Sequence, residues 1–240
     1  MSTFFISDAH LGLGDSRQEK RKEDRLLSFL RFIRPAAKGL FILGDLFDFW
    51  FEYATVIPKG YHRTLAALQE FTDGGIPVHY LEGNHDFWIR DFFSKELGMT
   101  VYRDPFEIAV DGKRLYLHHG DGLAQKDLGY RIIKPILRNS MSIWLYRWLH
   151  PDIGVRIAKG LSRKSRAYTG QKDFGEEDGM LRFATSKIES GIDIVMMGHR
   201  HKPVKVDIGR GVYVNLGDWI SANSYGVMNQ GVMKLETWKG

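Results

Sequence analysis

An α/β fold carrying a helical insertion is predicted by three features of this 240-residue chain. Five short apolar runs, rich in Ile, Val, Phe and Tyr, are each ended within two residues by Gly or Asp; helical periodicity fills the stretches between them; and a basic amphipathic stretch interrupts the alternation after the fourth run. Short apolar runs ended by turn residues are strand signals, and apolar residues at three-to-four spacing are helix signals.

Taken in order, the chain is expected to form a strand over Thr3–Ser7, a helix over Glu19–Ile33, a strand over Leu40–Leu43, a helix over His62–Phe71 and a strand over Val78–Leu81. A helix over Phe87–Leu97, a strand over Leu115–His118, a helix over Phe174–Glu189 and a strand over Ile192–Met197 complete the series. No repeat, low-complexity run or Pro- or Ser-rich linker divides the chain, so residues 1–240 read as one domain with a helical lid inserted over residues 122–172.

Composition excludes several classes. The absence of cysteine rules out disulfides, thiolate ligands and a cysteine nucleophile, leaving oxygen and nitrogen donors for any metal. No window of about 18 residues is free of charge, so no transmembrane helix is expected. Met1 leads straight into the first strand without the regions of a signal peptide. A cytoplasmic protein whose membrane contact is peripheral is the expectation.

Each apolar run ends in a block of metal-ligating residue types: Asp8-x-His10, Gly44-Asp45-x-x-Asp48, Gly83-Asn84-His85-Asp86, His119-Gly120-Asp121 and Gly198-His199-x-His201. No block is diagnostic alone; their order is. Ligands gather outside the carboxyl ends of strands in open α/β sheets, so blocks in five such loops converge on one pocket. Phosphoester hydrolysis needs a nucleophilic water at neutral pH and positive charge on the phosphoryl oxygens, and two divalent ions about 3.5–4 Å apart supply both. A carboxylate can bridge two ions, an amide oxygen ligates without adding charge, and imidazoles suit Mn, Fe or Zn. Asp8, His10, Asp45, Asn84, His119, His199 and His201 are the candidate ligands, and coincidence at all of them together is a poor alternative. For Asp48, Asp86 and Asp121 a plain turn or helix-cap role weighs more heavily. His62, His79, His118 and His150 read as non-ligands, and Asp218 as a turn residue.

The formal charge of +5 is unevenly spread: residues 126–172 carry eleven Lys or Arg against Asp127 and Asp152, a net +9, which leaves about −4 elsewhere. Within that segment Ile132, Ile133, Ile136, Leu137, Met141, Trp144, Leu145, Trp148 and Leu149 recur at helical spacing, with breaks expected at Pro135 and Pro151. Basic amphipathic helices suit a membrane surface, an anionic head group or nucleic acid. A helix packed on its own core is the plain alternative. Position argues against it, because an insertion springing from a metal-bearing loop has to sit over the pocket.

The five ordered blocks, which span Asp8 to His201, resemble those of the calcineurin-like metallophosphoesterase superfamily. That resemblance implies a two-sheet sandwich flanked by helices and two divalent metal ions, with Mn2+ the expected species. It implies that Asp8, His10, Asp45 and His201 hold one ion, and Asp45, Asn84, His119 and His199 the other, with Asp45 as the bridge. His85 would face the scissile phosphate, stabilising charge or protonating the leaving oxygen, and Asp86 would orient His85. Asp48 and Asp121 would support the ligands from behind.

Within the superfamily, chain length and the insertion are similar to the UDP-2,3-diacylglucosamine diphosphatase family of lipid A biosynthesis. The matching residues are His119-Gly120-Asp121 followed by Asp127-x-x-Tyr130, then Arg156-Ile157-Ala158, Ser165 and Lys172. This resemblance implies hydrolysis of the diphosphate to UMP and 2,3-diacylglucosamine 1-phosphate. Asn84, His85, Asp127, Tyr130, Arg163, Ser165, Arg166 and Lys172 would meet the substrate, and the apolar stripe would sheathe its acyl chains. The implied partners are the lipid-linked nucleotide sugar and, peripherally, the inner-membrane surface; neither nucleic acid nor an obligate protein partner is expected. The best-known branch carries Arg where this chain has His85, which leaves open another branch of the same enzymes or a different phosphoester. A nuclease or other phosphodiesterase of the superfamily is the alternative enzyme, since the same metal pair cleaves phosphodiesters. A scaffold that keeps the fold without the chemistry is disfavoured because every ligand position is filled.

Overall fold

Side-chain alternation in the first two strands decides the layering. In β1 (Ser2–Ile6), Phe4 and Ile6 belong to one core and Phe5 to another, and all three are buried. β2 (Ala37–Leu43) repeats the pattern, with Leu40 and Ile42 on one side and Phe41 and Leu43 on the other. A strand apolar on both faces has to be covered twice. In the computed structural model, which describes residues 1–123, 134–158, 160 and 176–240, one cover is helical and the other is a second sheet.

The first sheet sets β1, β2, β3 (Val78–Leu81) and β4 (Thr100–Tyr102) in parallel. It is extended antiparallel by β10 (Ser224–Asn229) and β11 (Val232–Thr237), giving the order β11-β10-β1-β2-β3-β4. The second sheet comprises β5 (Phe106–Val110), β6 (Lys113–Leu117), β7 (Ile194–Met197), β8 (Val204–Ile208) and β9 (Gly211–Asn215), in the order β5-β6-β7-β9-β8. Its central β6, β7 and β9 are parallel, and β5 and β8 are antiparallel edges. Phe5, Phe41 and Leu43 of the first sheet pack with Leu115, Leu117, Ile194, Met196 and Val214 of the second. On the outer face of the first sheet lie α1 (Ser16–Ile33) and α2 (His62–Asp73), through Leu26, Phe29, Leu30, Leu65, Leu68 and Phe71. On the second, α5 (Glu176–Glu189) packs Met180, Ala184 and Ile188 on Val195, Met197 and Tyr213. Each such apolar side chain contributes roughly 1.5–3 kcal/mol on burial, so the strand ends are fixed to a stiff platform.

Several elements depart from the expectations in informative ways. α1 starts at Ser16 because Asp15 forms a capping box with Gln18, an arrangement contributing about 1 kcal/mol. The helix expected over Phe87–Leu97 shrinks to α3 (Phe92–Lys95). The buried Glu52 carboxylate is the cause: its Oε2 accepts from the backbone N–H groups of Arg90, Asp91 and Phe92, at 2.9, 2.8 and 3.1 Å. Between β6 and α5, the described residues are helical over 134–138, in α4 (Ser140–Arg147) and over 151–158. Pro151 opens a helical segment as expected, but Pro135 sits inside 134–138; the break falls at Asn139, whose side chain accepts from Met141 N at 2.8 Å and starts α4. Among the described residues no helix is long and apolar enough to cross a membrane.

Candidate metal centre

The five ligand blocks occupy the loops that follow β1, β2, β3, β6 and β7, and the chain turns sharply in each. Asp8, His10, Asp45, His199 and His201 all have positive φ, five of the eight non-glycine residues that do so among the described residues. L-residues avoid this region, and clusters of such strain mark functional sites. Backbone bonds lock the loops together: Asp8 N donates to Gly44 O at 3.1 Å, His10 N to Asp45 O at 2.9 Å, and Gly198 N to His119 O at 2.8 Å. Two glycines are required by close approach. A Cβ on Gly83 would lie 2.1 Å from Asp45 Oδ1, and one on Gly198 would lie 2.3 Å from Asp8 Oδ2.

The side chains of the seven candidates converge. His10 Nε2 lies 3.1 Å from His201 Nε2, and Asp8 Oδ1 lies 3.6 and 3.4 Å from those two nitrogens. On the other side, His119 Nε2 lies 3.0 Å from Asn84 Oδ1 and 3.3 Å from Asp45 Oδ2, and His199 joins Asp45 and His119 in one cluster. Asp45 Oδ2 is also 3.6 Å from His10 Nε2, so it stands between the two groups. Donors about 2.0–2.2 Å from a common ion are themselves about 3–3.5 Å apart, and these spacings match that requirement. The donor set suits divalent ions as well: Asp8 Oδ1 is buried without a hydrogen-bond partner among the described residues, a costly arrangement unless a cation meets it.

The rings are aimed from behind. His119 Nδ1 donates to Leu43 O at 2.7 Å, which leaves Nε2 as the donor atom for a metal. His10 Nδ1 faces Asp48 Oδ1 at 3.7 Å, and His201 Nδ1 faces Asp218 Oδ2 at 3.6 Å. Asp218 is a turn residue as expected, accepting from Ile220, Ser221 and Ala222 N–H groups, but it also backs the candidate ligand His201, a role no local pattern announces. His85 Nδ1 donates to Asp48 O at 3.0 Å, and its backbone N–H donates to Asp45 Oδ1 at 2.8 Å. Asp86 therefore does not orient His85. Its buried carboxylate accepts instead from Tyr80 Oη and from Asp45, Phe47 and Gly83 N–H groups, tying the second block to the third. Asp121 pairs with Lys134 Nζ at 2.6 Å.

Charge in the cluster is tightly balanced. Burial pushes the Asp8 and Asp45 carboxyls up, but neighbouring imidazoles outweigh it and hold both well below the usual carboxylate range. Burial likewise lowers His10 and His119, and Asp48 and Asp8 beside the first, Asp45 beside the second, raise them to about 9 and about 10. For His85 burial wins and the imidazole is pulled down. His118, expected not to be a ligand, is pulled down to about 4 by burial and accepts from Gly120 N at 2.6 Å through Nδ1.

Six of the expected substrate residues, Asp127, Tyr130, Arg163, Ser165, Arg166 and Lys172, lie outside the described residues. Residues 134–158 dock on the chain that follows the candidate ligand blocks: Arg138 donates to Gly83 O at 3.0 Å, Trp88 Nε1 donates to Leu137 O at 3.0 Å, and Tyr146 packs on Phe51 and Trp88 with ring centroids 4.7 Å apart in each case.

The sequence pattern of the calcineurin-like phosphoesterases matches residues 1–203. A UDP-2,3-diacylglucosamine hydrolase from Porphyromonas gingivalis is 35% identical over 98% of this chain and 96% of its own. A protein of the same name from Pseudomonas fluorescens is 33% identical over 89% of this chain and 86% of its own. Among solved structures, an archaeal phosphodiesterase at 11% identity shares the fold with a TM-score of 0.51, covering 98% of this chain and 99% of its own. Side chains able to ligate metal, converging from five strand ends of such a sandwich, together with that match, place this chain in the calcineurin-like phosphoesterase family.

Proposed function

We propose that this chain is a metal-dependent hydrolase of UDP-2,3-diacylglucosamine, releasing UMP and 2,3-diacylglucosamine 1-phosphate. The observation that carries the reading is near full-length similarity, at 35% identity, to a relative named for that substrate. Asp8, His10, Asp45 and His201 would hold one divalent ion, Asp45, Asn84, His119 and His199 the other, and Mn2+ would suit this mixture of carboxylate, amide and imidazole donors. The ions, when bound, supply positive charge for the phosphoryl oxygens and acidify water for the attack. His85, held by Asp48 through Nδ1, turns Nε2 toward the substrate, where it stabilises charge on the phosphoryl group or protonates the leaving oxygen.

The insertion over residues 122–172 acts as a lid and receives the acyl chains. Its described residues present an apolar face to solvent, with Met141 68%, Trp144 53% and Trp148 76% exposed; this opposes a helix packed on its own core. The same face, beside basic residues, serves peripheral contact with the inner-membrane surface, where a diacylated substrate resides. Incubating the Mn2+-loaded protein with UDP-2,3-diacylglucosamine, a small phosphodiester and single-stranded DNA, and weighing the products, tests the reading. UMP with the diacylated sugar phosphate is the expected result; turnover of the small ester or DNA alone would overturn the substrate and keep the metal chemistry.

A further inference from the structure

Glu82 follows β3 directly, beside the loop that carries Asn84 and His85, yet the metal cluster does not use it. The residue is only 5% exposed, and Oε1 is buried without a hydrogen-bond partner among the described residues. Arg103 Nε, on a side chain 71% exposed, stands 3.9 Å from that oxygen. Burial pushes the Glu82 carboxyl up to about 8, and a buried carboxyl oxygen left unpaired costs free energy unless a ligand donates to it.

Two cavities meet at this residue. They measure about 250 and 300 Å3 and share Glu82, Arg103, Asp104 and Arg138. The first reaches His119 of the metal cluster, and the second is walled by Phe87, Trp88 and Arg147. Arg138 is fixed in place, donating to Gly83 O and Arg103 O at 3.0 and 3.2 Å with its guanidinium 5.3 Å over the Phe87 ring. The cleft thus runs from the candidate ligand His119 past a carboxyl and guanidinium groups to aromatic rings.

We propose that this cleft is the nucleotide subsite, in which Glu82 accepts hydrogen bonds from the ribose hydroxyls of a uridine nucleotide. The inference rests on the proposed substrate and adds which end of it lies where. A carboxylate facing a vicinal diol is a general mode of ribose recognition, arginines meet phosphate through paired N–H donors, and bases stack on aromatic rings. The sugar end of the substrate does not fit this site. Acylation at positions 2 and 3 of the glucosamine leaves no adjacent free hydroxyls on that ring, so the ribose carries the sole vicinal diol. Nor do acyl chains fit among guanidinium groups; the exposed apolar residues Met141, Trp144, Leu145 and Trp148 do not line the cleft.

UMP is the probe, titrated by calorimetry into the full-length, Mn2+-loaded protein beside 2′-deoxy-UMP and inorganic phosphate. The wild type should bind UMP about fivefold more tightly than the deoxy analogue, the size of one ordinary hydrogen bond. Glu82→Ala should erase that preference, and Glu82→Gln, which keeps an acceptor, should keep part of it. Equal affinity of the wild type for both nucleotides overturns the proposal without any variant having to fold. So does an undiminished preference in a folded Glu82→Ala protein. A parallel assay on UDP-2,3-diacylglucosamine separates the two readings. Glu82-dependent UMP binding without turnover refutes the substrate and keeps the subsite; turnover with KM unchanged in both Glu82 variants refutes the subsite and keeps the substrate.

Discussion

Replacing Gly83 by Ala tests whether the metal cluster depends on backbone contact between the second and third loops. The added Cβ would lie 2.1 Å from Asp45 Oδ1, 2.6 Å from Asp45 N and 2.8 Å from Asp45 Cγ. Carbon and oxygen rest about 3.3 Å apart, so the Asp45 carboxylate has to withdraw by about 1.2 Å. Rotating the side chain gives no escape, because the backbone nitrogen is within the clash as well. Asp45 stands between both halves of the cluster, so one added methyl disturbs both of them. A displacement of about 1 Å in positioning groups costs on the order of 100-fold in rate. The assay is kcat on a small phosphodiester, with bound metal counted by mass spectrometry and folding followed by circular dichroism. Gly39→Ala in β2 is the control, since its Cβ would meet nothing closer than 3.8 Å. A folded Gly83→Ala protein with two ions and the wild-type rate would refute the reasoning.

Three further outcomes are expected. Asp45→Ala or Asn84→Ala should lower hydrolysis by on the order of a thousandfold with the circular dichroism spectrum unchanged; full activity in either variant sinks the ligand assignment. Truncating Trp144 and Trp148 to Ala together should raise KM for a diacylated substrate far more than for a small chromogenic phosphodiester, and equal losses on both would exclude an acyl-binding role. The third concerns pH. His10 and His119 stand at about 9 and about 10 in the folded protein, against about 6.5 unfolded. Groups raised in this way stabilise fully below the unfolded value, and that contribution disappears as pH climbs through the folded values. The chelator-treated protein should therefore lose Tm between about pH 7 and pH 10. Mn2+ should flatten that fall, releasing protons as it binds; a Tm that rises with pH in the metal-free sample contradicts the charge balance described above.

Legibility of this protein in its sequence divides along the range of the interactions involved. The apolar runs before Asp8, Asp45, Asn84, His119 and His199 are local signals, and each does end a strand whose loop enters the cluster. Other features were out of reach. β5 and β8 alternate half-buried with exposed residues at sheet edges, and β4 is only three residues long, so none forms an apolar run. The helix pattern at 87–91 was sound as periodicity and lost to one buried carboxylate, Glu52, which claims the N–H groups at the start of α3. Asp86 shows the same limit. Its place beside His85 in the chain suggests a partner for the ring, whereas in space it holds Tyr80 and the Asp45 loop.

What the sequence determined by itself was the inventory: which donor atoms exist, in what order, and that each follows a buried strand, because strand propensity and turn chemistry act over a few residues. Tertiary structure decided the pairings. Asp48 serves both His10 and His85, Asp218 in the loop after β9 reaches His201 in the loop after the neighbouring β7, and Glu82 is left with an unsatisfied oxygen in an arginine-lined cleft. Those relations depend on how two sheets stack and where distant loops meet, and packing over long sequence separations leaves no periodic trace in the chain.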